Sequence, residues 1–215
     1  MTMITILGDS LAALAAAHHV LDTTPEADIN IITEKAEVGL IGEVPGLIST
    51  WPPCPSHWIS EIPYQPQNDS MAVRGSWFMK ALGIRLSKRG CRFHLRTRVT
   101  TKSETEVQFV GAGTRGSGTI TFDHLLDFRP TDQDMVQWHG LVCRTEDARE
   151  NKISGNRMDG TTEIWTKEPP EHNKTNLQEM MWSGDDPTYF ISREVESGMQ
   201  LAQPIIDTII HPVEQ

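Results

Sequence analysis

The stretch from Met1 to Glu43 constrains the fold of this chain more than any other. Met3-Ile4-Thr5-Ile6-Leu7 is a short apolar, β-branched run of the kind that fills a strand buried on both faces. Gly8-Asp9-Ser10 interrupts it as a turn cluster. Leu11, Leu14, Ala15 and His18 then recur at helical spacing, and the alanines at 12, 13, 15, 16 and 17 favour helix and let it lie close to a sheet. Asp22-Thr23-Thr24-Pro25 ends that helix. A second strand follows over Asp28-Ile29-Asn30-Ile31-Ile32-Thr33, with Glu34 at its tip. The order predicts one β-α-β unit.

Such a unit carries its own chemistry. A helix that starts directly after a strand aims its free N–H groups and the positive end of its dipole above the sheet, where a pyrophosphate is stabilised. The usual glycine fingerprint for that turn is G-x-G-x-x-G. Its aligned positions here are Gly8, Ser10 and Ala13, so the turn glycine is kept and the other two are small residues. Ser10 fits a helix cap, and its hydroxyl could also donate to a phosphate oxygen. Glu34 lies roughly two dozen residues beyond the turn, where an acid accepts hydrogen bonds from a ribose. Equally, the same residues describe an ordinary β-α-β unit with a capping serine and a surface glutamate.

The run ILGDSLAALAAAHHVLDTTPEADINIITEKAEVGLIGEVPG resembles the amino terminus of the FAD-dependent oxidoreductases with a Rossmann-type FAD/NAD(P)-binding fold. Glu34-Lys35-Ala36-Glu37-Val38-Gly39 matches the acid, spacer and glycine after their second strand. The loop Gly42-Glu43-Val44-Pro45 is similar to the glycine-glutamate loop of flavin-dependent halogenases and their monooxygenase relatives. The likeness is to a large superfamily in an apparently minimal form. It implies an α/β fold: a Rossmann-like parallel sheet with helices on both faces, plus a small antiparallel β-hairpin or meander. It also implies bound FAD, with NAD(P) or no cofactor as alternatives. By resemblance the cofactor-binding residues are Gly8, Asp9, Ser10, Leu11, Ala12, Ala13, Glu34, Lys35, Gly42 and Glu43, joined by Arg74, Val99, Asp185, Gly198 and Met199 from later segments.

At 215 residues the chain is long enough for a full core and is expected to form one domain, with a proline-rich loop at 44–70 and a small irregular subregion at 131–182. A formal charge of −10 argues against nucleic acid or an anionic membrane as partner. Cys54, Cys91 and Cys143 are scattered, forming neither a disulfide framework nor a metal-ligand pair, which fits a reducing, cytoplasmic compartment. No signal-peptide pattern opens the sequence, and no apolar run reaches membrane-spanning length. A small-molecule substrate is expected, with a homo-oligomer or a partner subunit completing the site.

Beyond Glu43, Pro45, Pro52, Pro53, Pro55, Pro63 and Pro66 exclude a long helix or central strand, leaving either an ordered loop packed by Trp51, Trp58 and Tyr64 or a lid. Trp58-Ile59-Ser60-Glu61-Ile62-Pro63 does not match the halogenase W-x-W-x-I-P motif, so halogenation is not expected. Met71 to Lys88 reads as a helix with Val73, Trp77, Ala81 and Ile84 as its apolar stripe, stopped at Gly90. Cys91 to Val99 alternates as one strand. Glu106–Val110 and Thr119–Phe122 flank a glycine-rich turn as a hairpin. Phe122 to Phe128 resembles the strand that precedes the "ATG" of the flavin fold, replaced here by Phe128-Arg129-Pro130. Gly140–Arg144 and Thr162–Thr166 are expected as short strands. Trp182-Ser183-Gly184-Asp185-Asp186-Pro187 resembles the late glycine-aspartate motif that contacts the ribityl chain. Glu194 to Ile210 is expected as a helix with the stripe Val195, Met199, Ala202, Ile206 and Ile209. Ser197-Gly198-Met199-Gln200-Leu201-Ala202 resembles a helix start facing the isoalloxazine, and Pro204 is expected to kink that helix or move its start later.

Two other function classes are open. Gly8-Asp9-Ser10-Leu11 also spells the opening motif of the GDSL hydrolases, in which Ser10 would be the nucleophile. The expected Asp-x-x-His is absent, since Asp207 and His211 are spaced differently, and Asn68 lacks its preceding glycine. A non-catalytic dinucleotide-fold module binding a partner is the third reading. The sequence nominates no catalytic base.

Overall fold

The structure is a computed structural model. It describes residues 1–39, 44–62, 66, 71–112, 116–129, 135–148, 153–170 and 175–211. The fold is mixed α/β, a parallel sheet accompanied by two antiparallel sheets. The chain divides into two compact units, one made of residues 1–40, 82–130 and 194–215, the other of 41–81 and 131–193.

In the first unit, β1 (Met3–Leu7), α1 (Leu11–Thr23) and β2 (Asp28–Ile32) form the expected β-α-β unit. The parallel sheet has the order β3-β2-β1-β7, with β3 at Arg92–His94 and β7 at His124–Asp127. β1 is therefore central, and Leu7 stands level with Ile32 on one side and Asp127 on the other. Ile4, Ile6, Leu7, Ile29 and Ile31 are all buried, which is why these strands read as unbroken apolar runs. Every residue of α1 from Leu11 to His18 is buried as well, so its alanines serve close packing on all sides. Near the end of α1, the buried His18 has Nε2 3.1 Å from the Leu82 carbonyl and Nδ1 3.1 Å from Nη1 of Arg89, which also pairs with Asp22. A carbonyl only accepts, so Nε2 carries the proton and Nδ1 accepts from Arg89.

The single strand expected over Cys91–Val99 is two strands. β3 ends at His94, Arg96 turns the chain at φ +49°, and β4 (Thr97–Lys102) joins a different sheet, β4-β5-β6. The alternation spans the turn because Cys91 before it and Thr97 after it are both buried, so periodicity alone cannot see the break. β5 (Glu106–Gly111) and β6 (Ser117–Thr121) form the expected hairpin, whose Val107, Phe109 and Ile120 pack with Leu7 and Ile32.

α2 (Gly75–Lys88) corrects the expected stripe. Trp77 is 64% exposed and Ile84 50%, whereas Phe78, Met79, Leu82 and Leu86 are buried. Of the expected set Ala81 is buried, so the core face is rotated by about one position from the one read in sequence. Both registers place apolar residues at helical spacing, and Trp77 packs against the Arg74 guanidinium, 5.1 Å from the ring centroid, while exposed to solvent.

The second unit is built on the antiparallel sheet β11-β8-β10-β9. β8 is Gln137–Arg144, β9 Ser154–Asn156, β10 Thr161–Thr166 and β11 Asn176–Ser183. β9 and β11 were not legible in the polar sequence. Leu47, Ala72, Trp138, Val142, Trp165 and Met180 form the core. Within it Glu163 is fully buried and fully engaged: it accepts from Gly46 N at 2.7 Å and from Trp165 Nε1 at 2.6 Å, and it pairs with Arg157. The described part of the proline-rich segment is packed, with a 3-10 turn over Ser56–Ile59 that buries Trp58 and Ile59. Tyr64 and Pro63 lie outside the described residues. α3 spans Phe190–Ile210, starting before the expected Glu194 and running through Pro204. Its buried face includes Val195, Ala202 and Ile206, as the stripe required.

Two expectations test this packing by urea unfolding. Phe78→Ala should cost about 3–5 kcal/mol, while Ile84→Ala changes stability by no more than about 0.5 kcal/mol. Arg157→Met, which strands the Glu163 carboxylate, should cost about 3–5 kcal/mol.

Candidate functional site

The corner where β1 passes into α1 is shaped by backbone. Gly8 has φ +100°, a conformation that disfavours side chains. A Cβ there would stand 3.0 Å from the Phe128 carbonyl oxygen and 3.4 Å from Arg129 N. Gly8 N donates to the Ile32 carbonyl at 2.8 Å, and Phe128 N to the Leu7 carbonyl at 2.8 Å. The turn is thus wedged between the ends of β2 and β7, at the carboxyl edge of the parallel sheet. Ser10 caps α1, its Oγ accepting from Ala13 N at 3.2 Å. Of the donors that every helix start leaves without intrahelical partners, those of Leu11 and Ala12 remain after this cap.

Asp9 is buried in the turn, its side chain 4% exposed. Its Oδ1 accepts from Thr33 Oγ1 at 3.0 Å and lies 3.2 Å from Lys35 Nζ, while its Oδ2 is buried without a hydrogen-bond partner. This ties the turn to the tip of β2, where Glu34 is exposed. The sequence shows Asp9 and Lys35 far apart, and nothing in their spacing announces the pair. Thr33 was likewise read only as a strand residue.

At the tip of β7, Asp127 is gripped by Arg129 in a bidentate fork, Nε at 2.8 Å and Nη2 at 2.7 Å, with Lys102 Nζ 3.1 Å away. The Arg129 hydrogen bonds, aided by Lys102, hold the Asp127 carboxyl down at about 2. Elsewhere, burial pushes the Cys54 and Cys91 thiols up to about 12, which leaves them protonated and poorly reactive.

Gly198 is not at a helix start. It lies inside α3, and a Cβ there would fall 2.2 Å from the Ala12 carbonyl oxygen. Its role is to bring α3 onto the first turn of α1. Met199 beside it is half-buried. Val99, in β4 opposite Phe109, turns its side chain into the cluster around Leu7 and Ile32. The first unit therefore holds Gly8, Asp9, Ser10, Leu11, Ala12, Ala13, Glu34, Lys35, Val99, Gly198 and Met199. Arg74 and Asp185 belong to the second unit and are exposed; there it is the neighbouring Asp186 that is engaged, accepting from Thr188 N at 2.8 Å. Gly42 and Glu43 lie outside the described residues.

The fold is similar to that of several solved oxidoreductases. The p-nitrophenol 4-monooxygenase PnpA from Pseudomonas putida superposes with a TM-score of 0.67 at 8% identity, covering 100% of this chain and 82% of that one. CabE, an aromatic hydroxylase from angucycline biosynthesis, gives 0.64 at 11% identity, over 99% of this chain and 63% of that one. A flavoprotein/dehydrogenase from Cytophaga hutchinsonii gives 0.63 at 11% identity, over 99% and 80%. The chain shares their fold. It spans less than two thirds of the length of CabE. No protein-family profile and no curated protein sequence matches it. No helix among the described residues is long and apolar enough to cross a membrane.

Against the hydrolase reading, Ser10 Oγ is engaged as a helix cap, and among the described residues no histidine or carboxylate hydrogen-bonds to it.

Gly198→Ala should destabilise the chain by about 1–3 kcal/mol, because neither backbone can yield without moving a helix; a thermal melt reads this as a lowered midpoint. In Arg129→Ala the Asp127 carboxyl, followed by NMR, should titrate at higher pH. The depressed folded value means that the pairing stabilises the fold above the ordinary carboxylate range and is lost as pH falls towards about 2.

Proposed function

We propose that the first unit binds the adenine half of FAD and that the protein acts as a flavin-linked oxidoreductase. The observation that carries this reading is the Gly8 turn, a left-handed glycine wedged against Phe128 at the carboxyl edge of a parallel sheet and followed directly by a helix. Ligands of open α/β sheets bind in that crevice. The residues present fit the group. The Leu11 and Ala12 N–H donors and the helix dipole suit a pyrophosphate, and the exposed Glu34 at the β2 tip suits a ribose diol. Val99 presents its backbone, since its side chain faces the core. Fold likeness to a flavoprotein/dehydrogenase and to a monooxygenase supports the choice of flavin.

Bound flavin would supply the electron-transfer chemistry, and this chain's part is to hold and orient the cofactor. Gly8 keeps the phosphates close to backbone. Ser10 preserves the helix start. Asp9 and Thr33 fix the distance between the turn and the β2 tip.

The test is the visible spectrum of the purified chain before and after incubation with FAD and desalting. Retained flavin absorbance is expected, with Glu34→Ala, a change at an exposed position, lowering it while circular dichroism shows a folded protein. A folded wild-type chain that retains no FAD and no ADP contradicts the reading, and covalent labelling of Ser10 by a fluorophosphonate would replace it with the hydrolase.

A further inference from the structure

Resting on the dinucleotide reading above, we propose that Arg129 is the cation of the diphosphate site, its guanidinium held by Asp127 and presented to the ligand's phosphate oxygens. Three observations converge on it. The first is topological. β1 connects through α1 to β2 on one side, while β7 pairs with β1 on the other, so the direction of the strand order reverses between β1 and β7. Crevices at such reversals are where open α/β sheets take their ligands. Arg129 lies two residues beyond the end of β7, and its backbone N is one of the atoms that a Gly8 Cβ would touch, at 3.4 Å.

The second is the geometry of the side chain. The fork to Asp127 uses Nε and Nη2, which leaves the two Nη1 protons uncommitted among the described residues. A planar guanidinium anchored along one edge can offer the other to a phosphate with little further loss of freedom. Glu34, at the tip of β2 on the far side of β1, helps Asp127 stabilise the Arg129 charge.

The third is charge. Lys35 is already bound to the buried Asp9 carboxylate, and Ser10, whose Oγ accepts from Ala13 N, has only a neutral O–H left to offer. At the β7 tip, by contrast, Lys102 and Arg129 share the carboxylate of Asp127, and Glu34 acts on Arg129 more weakly than Asp127 does. A phosphate oxygen would add a hydrogen-bonded anionic partner at the open Nη1 edge of Arg129.

Calorimetric titration of the full chain with ADP and with adenosine separates the possibilities. Arg129→Met is expected to weaken ADP binding about 10- to 100-fold, the scale of a lost charged hydrogen bond, with adenosine affinity unchanged. The dependence of ADP affinity on salt should become shallower, and Arg129→Lys should restore part of the loss. Wild type that binds ADP, with Arg129→Met binding it equally well, overturns this inference alone. Equal losses for ADP and adenosine also overturn it, since they would mean that Arg129 merely supports the fold. A wild-type chain that binds neither ligand overturns the dinucleotide reading and this inference with it.

Discussion

The tight passage of the backbone through Gly8 is the constraint on which the first unit depends. With Leu7 level with both Ile32 and Asp127, the turn that follows has a strand end on either side. Only a residue without a side chain fits between the Ile32 carbonyl, which takes its N–H, and the Phe128 carbonyl, which would meet its Cβ. That fit sets where α1 begins. The start of α1 in turn sets where Ser10 caps it and where Gly198 of α3 can approach. Shape, electrostatics and the contact with the C-terminal helix therefore share one origin.

Charge at this corner is arranged in closed pairs that differ in depth. Asp9 is buried and pairs with a Lys35 side chain that is 32% exposed, and its carboxylate has an unsatisfied oxygen, a costly arrangement of the kind that persists where a site requires it. Asp127, Arg129 and Lys102 form a more exposed cluster. Solvent screening weakens such surface pairing as a source of stability and leaves its cations available to an incoming anion. In the second unit Glu163 shows the opposite case: with Arg157, Trp165 and Gly46 all directed at it, the carboxylate is satisfied from within and holds the 44–46 segment to β10.

Much of the first unit was legible because local patterns and tertiary environment agree there. Met3–Leu7 and Asp28–Ile32 are apolar throughout because both faces are buried, and Gly8, Ser10 and Pro25 punctuate them by simple backbone chemistry. The α2 stripe failed because Trp77 and Ile84 mimic the spacing of the true core residues Phe78, Leu82 and Leu86. The Cys91–Val99 run failed because Arg96, in a left-handed conformation, carries no glycine signal. β11 was missed because Leu177, Glu179 and Met181 face solvent and blur the alternation. The pairs that build the site, Asp9 with Lys35 and Gly198 with Ala12, join residues distant in sequence. No single-chain pattern encodes them, although the Asp-x-Arg spacing at Asp127 and Arg129 hints at the β7 fork.

The central claim is that an adenine nucleotide rests on the first turn of α1. Amide chemical-shift mapping of the labelled full chain during titration with ADP tests it most directly. The account predicts saturable shifts concentrated at Gly8 to Ala13 and at Glu34 and Lys35. Saturable shifts confined to other parts of the chain, or no shifts at millimolar ADP in a folded sample, would contradict it.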